Sequence, residues 1–261
     1  MPILKPNGFR WHDVLTKEKI KTMKKIFFAV CAFAIAVACN TPTKHTPQRI
    51  ALHTSEGRIE LELSDLTPKH RDNMLKLVDE GFFNGVLFHR VIENFMIQGG
   101  DQFSKGVSSS EYDPEAGDKA VAEGKAKPQS IEAEIRFPEL FHQRGVLAAA
   151  REGDDVNPMR RSSHSQFYIV WGRTFDDRTL DRYEERRIKL TGDTTRYTPA
   201  QREAYKTIGG TPHLDGQYTV FGHVTEGLEV VERIQKMATD SLDRPVKDVR
   251  IERAERVTLA K

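Results

Sequence analysis

Residues 82–101 read FFNGVLFHRVIENFMIQGGD. Two apolar runs in this stretch are separated by Glu-Asn and closed by Gly-Gly, a pattern that predicts two β-strands joined by a turn. Alternation along the first strand places Phe88, Arg90 and Ile92 on one face, so a guanidinium group lies among large apolar side chains. The second strand adds Phe95, Met96 and Gln98. Together they predict an apolar pocket with polar groups at its edge, which suits a small apolar ring beside a peptide bond.

The same residues also have a purely structural interpretation. The side chain of Arg90 could extend along apolar surface to reach solvent. Phe95 and Met96 would then belong to an ordinary core. The pocket is the interpretation that we favour.

A hairpin and a helix are predicted before this stretch. Residues 49–53 and 58–63 alternate in hydropathy around a turn at 55–57. Thr67, followed by proline, predicts a helix start with threonine as N-cap, and Gly81 ends the helix. Because numerous short strands leave exposed edges unless the sheet closes on itself, we predict a closed antiparallel barrel.

The remaining sequence continues this pattern. Residues 102–130 are poor in apolar side chains and predict a long surface loop. A late helix is predicted with Leu228, Val231 and Ile234 facing the core. Further strands are predicted at residues 131–135, 145–150, 163–170, 218–221 and 247–257.

Three segments resemble the cyclophilin-type peptidyl-prolyl isomerases and occur in the family's order. They are residues 88–101, residues 145–150 with 165–169, and residues 214–231. The resemblance implies a mainly β fold within residues 49–261, a closed antiparallel eight-stranded barrel capped by two helices. It also implies an enzyme that isomerises Xaa-Pro bonds of proline-containing polypeptides (EC 5.2.1.8), with no cofactor and no metal.

The resemblance assigns a role to each site residue. Arg90 would act electrostatically at the proline nitrogen, while Gln98 would bind a substrate carbonyl and help to fix Arg90. Four residues would hold the proline ring: Phe95, Met96, Tyr168 and Leu214. The extended residues before the proline would contact Ala150, Arg151 and Gln166.

Three positions depart from the common family pattern. Tyr168 stands where members usually carry phenylalanine, so its hydroxyl needs water or a partner. His213 falls where many eukaryotic members carry tryptophan, and Tyr218 where many carry histidine. Because the tryptophan matters mainly for the drug cyclosporin, we expect weaker drug binding with activity retained. His89 and His213 are interpreted as structural or rim residues, since the reaction moves no proton.

The resemblance lapses over residues 173–210, where the family usually has only a few residues. Residues 176–190 are charged and helical in pattern, and Thr198 begins a capping box before a second short helix that ends at Gly209-Gly210. We predict a helical insertion. It is either a solvated hairpin without function or a flap that shapes the substrate site or binds a partner.

The N-terminal sequence predicts a signal for export. Residues 23–38 have a basic start and an apolar run too short to span a bilayer comfortably, as in a signal peptide. Residues 36–39 read AVAC, which resembles the bacterial lipobox, so Cys39 would carry a lipid. A plain cleaved signal peptide and an uncleaved anchor are the alternatives.

The flanking segments complete this prediction. Residues 39–48 comprise the lipidated cysteine and a polar, proline-containing tether. Residues 1–22 would be a non-native leader, absent from the mature protein. We therefore expect a protein of the bacterial cell envelope at the periplasmic face of the outer membrane, with the lipid as its only membrane contact.

Composition narrows the class of protein further. The 40 basic and 38 acidic residues give a net charge of +2, and no basic tract is long enough for a nucleic-acid-binding arm, so we expect no nucleic acid. Metal-hydrolase and serine-hydrolase motifs are missing from the sequence. Cys31 and Cys39 are the only cysteines, so the domain has no disulfide. We expect a monomer. The rival to an isomerase is a non-catalytic module or chaperone of the same fold.

Overall fold

The computed structural model describes residues 47–126 and 129–258. The predicted leader, signal peptide and lipidation at Cys39 lie outside the described residues, as does most of the tether. Within the described part, none of the helices has the length and apolar character needed to cross a membrane.

A single antiparallel sheet of eight strands dominates the domain. Its strands in chain order are β1 Gln48–Thr54, β2 Gly57–Leu63, β3 Arg90–Ile92, β4 Met96–Gly99, β6 Val146–Ala149, β8 Phe167–Val170, β9 Val220–Glu226 and β10 Ile251–Arg256. The two short strands β5 Ser130–Ile131 and β7 Ser162–Ser163 pair separately. The order across the large sheet is β10-β1-β2-β9-β6-β8-β4-β3, which places β4 and β6 on either side of β8.

The prediction of a closed barrel was wrong, because the sheet is an open, strongly curled half-barrel. In the described part, β3 and β10 form its two edges and do not pair with each other. The irregular segment before β3 lies between them. Within it, the Phe88 amide donates to the Val249 carbonyl at 2.8 Å and the Gly85 amide to the Ile251 carbonyl at 2.7 Å. These bonds satisfy edge groups without a regular ladder.

Five α-helices occur in the described residues. They are α1 Pro68–Asp79, α2 Ala116–Ala122, α3 Asp177–Thr191, α4 Pro199–Thr207 and α5 Leu228–Gln235. As predicted for two capping helices, α1 and α5 pack on the large sheet. The predicted capping box at Thr198 is confirmed. Thr67 is the N-cap residue of α1 but forms no side-chain cap; the Glu134 carboxylate instead accepts from the Lys69 and His70 amides, at 3.2 and 3.0 Å.

Several local predictions need correction. The loop predicted at 102–130 contains α2, and the strand predicted at 131–135 is reduced to its first residue. Leu228 is 37% exposed, because Val230 takes the inward position in α5 together with Val231 and Ile234. Phe88 does not share the pocket face with Arg90. It precedes β3 and packs edge-on against Phe167 in the main core, with ring centroids 6.1 Å apart.

Alternation along β8 separates two apolar clusters. Phe167 and Ile169 point into the main core, which also contains the buried faces of α1 and α5. Tyr168 and Val170 point the other way, into a smaller cluster. The opposite face of the same strands therefore carries the pocket described below.

The predicted insertion leaves and rejoins the sheet at one point. The Gly210 amide donates to the Arg173 carbonyl at 3.0 Å, and the Arg173 amide donates back at 3.3 Å. Gly210 has φ +155°, and a Cβ there would lie 2.2 Å from the His142 carbonyl oxygen, so only glycine fits this crossing. The first and last residues of the insertion are therefore held together by backbone hydrogen bonds.

Candidate active site

The apolar residues that the sequence predicts for a pocket lie together in one cluster on and around β4, β6 and β8. Met96 and Tyr168 are nearly buried, 2% and 5% exposed, and line its floor with Ala148. Its partly open wall contains the remaining predicted apolar residues, Phe95, Leu214, Tyr218 and Ala150. Residues far apart in sequence thus form one apolar surface.

The Tyr168 hydroxyl has a buried partner. It lies 3.0 Å from Nε2 of His142, whose Nδ1 lies 2.9 Å from Oδ1 of Asp215. Burial raises the pKa of Tyr168 well above its usual value, so the hydroxyl keeps its proton. Because Asp215 immediately follows the pocket residue Leu214, this chain of bonds joins the floor of the pocket to its wall.

The same carboxylate binds the insertion. Oδ2 of Asp215 accepts hydrogen bonds from the hydroxyls of Tyr197 at 2.9 Å and Tyr205 at 2.6 Å. Tyr205 belongs to α4, and Tyr197 precedes that helix. Burial, then the negative charge of Asp215, raises the pKa of both tyrosines well above the usual range. We call the five side chains the Asp215 network: Tyr168, His142, Asp215, Tyr197 and Tyr205.

Arg90 lies at the edge of the pocket, where it pairs in register with Gln98 across β3 and β4. Its Nε donates to Oδ2 of Asp243 at 3.3 Å, and no hydrogen bond joins its side chain to that of Gln98 in the described residues. Both side chains of this ion pair are about two-fifths exposed, 43% and 42%. The guanidinium group therefore forms an ion pair with a partly exposed acid beside the pocket.

Gln98 is oriented by a different chain of bonds. Its amide donates to Oε1 of Gln166 at 3.1 Å, and Gln166 donates to Oδ2 of Asp101 at 3.1 Å. The same oxygen accepts from the Tyr112 hydroxyl at 2.7 Å. Asp101 is thus the fixed acceptor that sets the direction of both glutamines.

Ala150 and Arg151 lie beside these glutamines. Four predicted site residues line one cavity of about 620 Å³: Gln98, Ala150, Arg151 and Gln166. The Arg151 guanidinium lies over the Tyr218 ring, 4.4 Å from its centroid, and its Nε donates to the Gln217 carbonyl at 2.9 Å. Both backbone groups of Ala150 are hydrogen-bonded within the domain, because its amide donates to the Gln166 carbonyl at 3.0 Å and its carbonyl accepts from the Ser163 amide at 2.8 Å.

The two histidines of interest are both neutral at pH 7. Burial lowers the pKa of His213 to about 4, and its ring stacks on Phe95 with centroids 5.5 Å apart. Burial also lowers the pKa of His89 to about 4, and its Nδ1 has no partner in the described structure. His213 is therefore a wall of the pocket, while His89 is buried beside Tyr112.

No group of three or more potential metal-ligating side chains is found in residues 47–126 and 129–258.

Comparison with known proteins identifies the family. The model of the cyclophilin type peptidyl-prolyl cis-trans isomerase/CLD family matches residues 49–256. This chain belongs to the cyclophilins. A human relative named peptidyl-prolyl cis-trans isomerase-like 1 is 30% identical over 219 residues, which cover 84% of this chain and 98% of the human one.

Other relatives extend the comparison. A Streptococcus pyogenes protein named as a bifunctional phosphatase/peptidyl-prolyl cis-trans isomerase is 33% identical over 214 residues, and this cyclophilin spans only 39% of its length. The crystal structure of a Cryptosporidium parvum cyclophilin aligns with a TM-score of 0.54 at 22% identity, covering 82% of this chain and all of that one. A second structure of the parasite protein was determined in the presence of the dipeptide Ala-Pro.

Sequence reasoning missed several residues around the site of this cyclophilin. Asp101 ends the glycine-rich motif, but nothing in the motif shows that it fixes Gln166. His142 and Asp215 carry no local signal, because their pairing spans the fold. The unusual Tyr168 was the one available hint, since a buried hydroxyl requires a partner.

Proposed function

We propose that this cyclophilin catalyses rotation about Xaa-Pro bonds through Arg90. Amide resonance gives that rotation a barrier of about 18–20 kcal/mol, and the uncatalysed prolyl reaction takes tens to hundreds of seconds. The barrier falls when the nitrogen lone pair is drawn away from the carbonyl. A guanidinium group near the proline nitrogen has this effect, because it is permanently charged and donates in a fixed plane.

The pocket supplies the remaining requirements. Its floor of Met96 and Tyr168 excludes water from the proline ring, so the field of a nearby charge is less screened. Gln98 and Gln166, oriented by Asp101, present amides to a substrate backbone. The site needs no nucleophile and moves no proton. Catalysis is then preferential stabilisation of the twisted amide.

One observation carries this proposal: the only acid paired with Arg90 in the described structure is the exposed Asp243. An arginine held in the interior of the fold is itself buried and donates to several acceptors. Arg187, for example, is 1% exposed and binds the Asp193 and Thr195 carbonyls of the insertion. Arg90 instead is partly exposed at the edge of the apolar pocket.

The test is the cis-to-trans rate of a short Xaa-Pro peptide with the wild-type protein and Arg90→Ala. We expect the variant to fold and to lose most of its acceleration. Arg256→Ala is the matched control, because Arg256 forms a similar ion pair with Asp79, at 45% and 51% exposure, and is not part of the pocket. Equal turnover by wild type and Arg90→Ala would refute the role of Arg90.

The alternative is a binding module that holds proline-containing chains without speeding their isomerisation. An apolar pocket alone would suffice for that role. The presence of both a guanidinium and an amide at the pocket edge favours the enzyme. A peptide that binds the wild-type protein but isomerises at its spontaneous rate would support the module.

We also propose that the protein assists the folding of exported proteins from a lipid anchor at Cys39, as a monomer at the periplasmic face of the outer membrane. The support is the export signal and lipobox-like sequence at residues 23–39. The full chain expressed in a diderm bacterium should fractionate with the outer membrane, and Cys39→Ala should release it from that fraction. Membrane association unaffected by Cys39→Ala would refute the lipid anchor.

A further inference from the structure

The insertion adds an aromatic row to the pocket. The His213 ring stacks on Phe95 and lies 5.8 Å from the Tyr183 ring of α3. Tyr183 in turn meets Phe175 edge-on, with centroids 5.5 Å apart. Four rings therefore run from the proline pocket onto the insertion: Phe95, His213, Tyr183 and Phe175.

Two exposed arginines flank this aromatic row. The Arg173 guanidinium lies over the Phe175 ring, 5.5 Å from its centroid. After burial, which has the largest effect, the positive charges of Arg186 and Arg173 are among the causes that lower the pKa of His213. Arg186 follows Tyr183 by three residues in α3, so the two residues lie on the same side of the helix.

Neither arginine has an acidic partner within 4 Å in the part of the chain that the structure describes. Three acids of the insertion pair with other basic residues. Asp177 pairs with Lys206, Asp181 with Arg202 and Glu184 with Arg196. Asp215, beneath His213, is fully buried and bound by the donors of its own network. Among the described residues, the guanidinium groups of Arg173 and Arg186 are therefore not held in ion pairs.

The aromatic row lies at one end of β8 and the glutamines at the other. Gln166 precedes the strand, whereas the Phe95 carbonyl accepts from the Trp171 amide just beyond its end, at 2.9 Å. Five residues of strand span roughly 16 Å. Because the residues before the proline are placed at Gln166, the residues after it leave toward the aromatic row.

We propose that Arg173 and Arg186 recognise an acidic side chain in the residues that follow the proline, with the aromatic row supporting the chain between them. This inference rests on the substrate direction of the proposed function. The preferred substrate class is then Xaa-Pro segments followed within about two residues by Asp or Glu. The insertion acts as a specificity element beside the catalytic pocket.

The test uses peptides that differ only at the second residue after the proline, which is Glu, Gln or Lys. Rates and dissociation constants are measured by NMR exchange with the wild-type protein and with the double variant Arg173→Gln/Arg186→Gln. We expect a Glu-over-Lys preference of about five-fold at 0.1 M salt, as for two exposed ion pairs, that falls toward unity at 1 M. The double variant should lose it.

Arg178→Gln is the control, because Arg178 is an exposed arginine of α3 that is not among the main causes of the lowered pKa of His213. It should retain the preference. Equal use of the Glu and Lys peptides by the wild type, or a preference that survives in the double variant, would overturn the inference. If the Gln peptide is not accelerated at all, the isomerase proposal fails, and the Glu-to-Lys ratio of dissociation constants still decides the role of the two arginines.

Discussion

Replacing Asp215 by asparagine should destabilise the domain strongly, because four donors converge on its carboxylate. Oδ1 accepts from the backbone amide of His142 at 2.8 Å and lies 2.9 Å from its Nδ1. Oδ2 accepts from the hydroxyls of Tyr197 and Tyr205. The asparagine amide offers one oxygen and one NH₂ group. With the amide oxygen kept at His142, the NH₂ group replaces Oδ2, so both tyrosine hydroxyls lose their charged acceptor and have to accept from the amide instead.

The magnitude follows from the bonds that are lost. A hydrogen bond to a charged group contributes about 1.5–3 kcal/mol, so the loss of two gives about 3–6 kcal/mol. Tyr205→Phe removes one of the same bonds and should destabilise by about 1.5–3 kcal/mol. Tyr197 also donates to the Pro212 carbonyl at 3.1 Å, so it keeps a partner when Asp215 is replaced. The asparagine variant should therefore fall in the lower half of the range.

The assay is urea unfolding of the domain, followed by tryptophan fluorescence. The variants are Asp215→Asn, Tyr205→Phe and their combination, and the combination should destabilise by less than the sum of the two changes because both remove the Tyr205 bond. Tyr183→Phe is the control, since its hydroxyl has no hydrogen bond in the described part of the chain. A loss below about 1 kcal/mol for Asp215→Asn, or strict additivity, would refute the network as a source of stability.

Two further predictions concern pH and drug binding. Burial lowers the pKa of His89 and His213 from 6.5 to about 4. Between pH 6.5 and 4 the unfolded chain binds protons at these histidines and the folded chain does not, so the free energy of unfolding should be highest above pH 6.5 and should fall as the pH drops toward 4. Urea midpoints that stay constant from pH 7.5 to 4.5 would contradict this. Cyclosporin should bind weakly and His213→Trp should bind it more tightly; nanomolar inhibition of the wild type would contradict the expectation.

The secondary structure could be predicted where the physics is local. The hairpin of β1 and β2, helix α1 and the capping box at Thr198 all follow from alternation, proline position and side-chain caps. The curvature of the sheet could not be predicted from such local patterns. Whether edge strands meet depends on twist accumulated over eight strands, and here the irregular residues before β3 fill the gap.

The pocket side chains were accessible from the sequence because motif and alternation agree at Met96, Gln98 and Tyr168. The residues that hold other parts of the fold and site in place could not be predicted from the sequence. The cap of α1 comes from Glu134, 65 residues away from the amide of Lys69. Asp243 reaches Arg90 across 153 residues of sequence. Such contacts depend on the complete fold, and no local periodicity encodes them.

The position of Asp243 also bears on catalysis. Its carbonyl accepts from the Val91 amide at 2.8 Å, so the backbone holds this acid beside Arg90 whether or not the side chains are paired. An ion pair this exposed contributes about 0–1 kcal/mol. Release of Arg90 toward a bound proline can therefore lower the rate by no more than about five-fold, small beside the acceleration expected from the guanidinium. Asp243 therefore binds Arg90 outside the pocket too weakly to prevent its movement toward a bound proline.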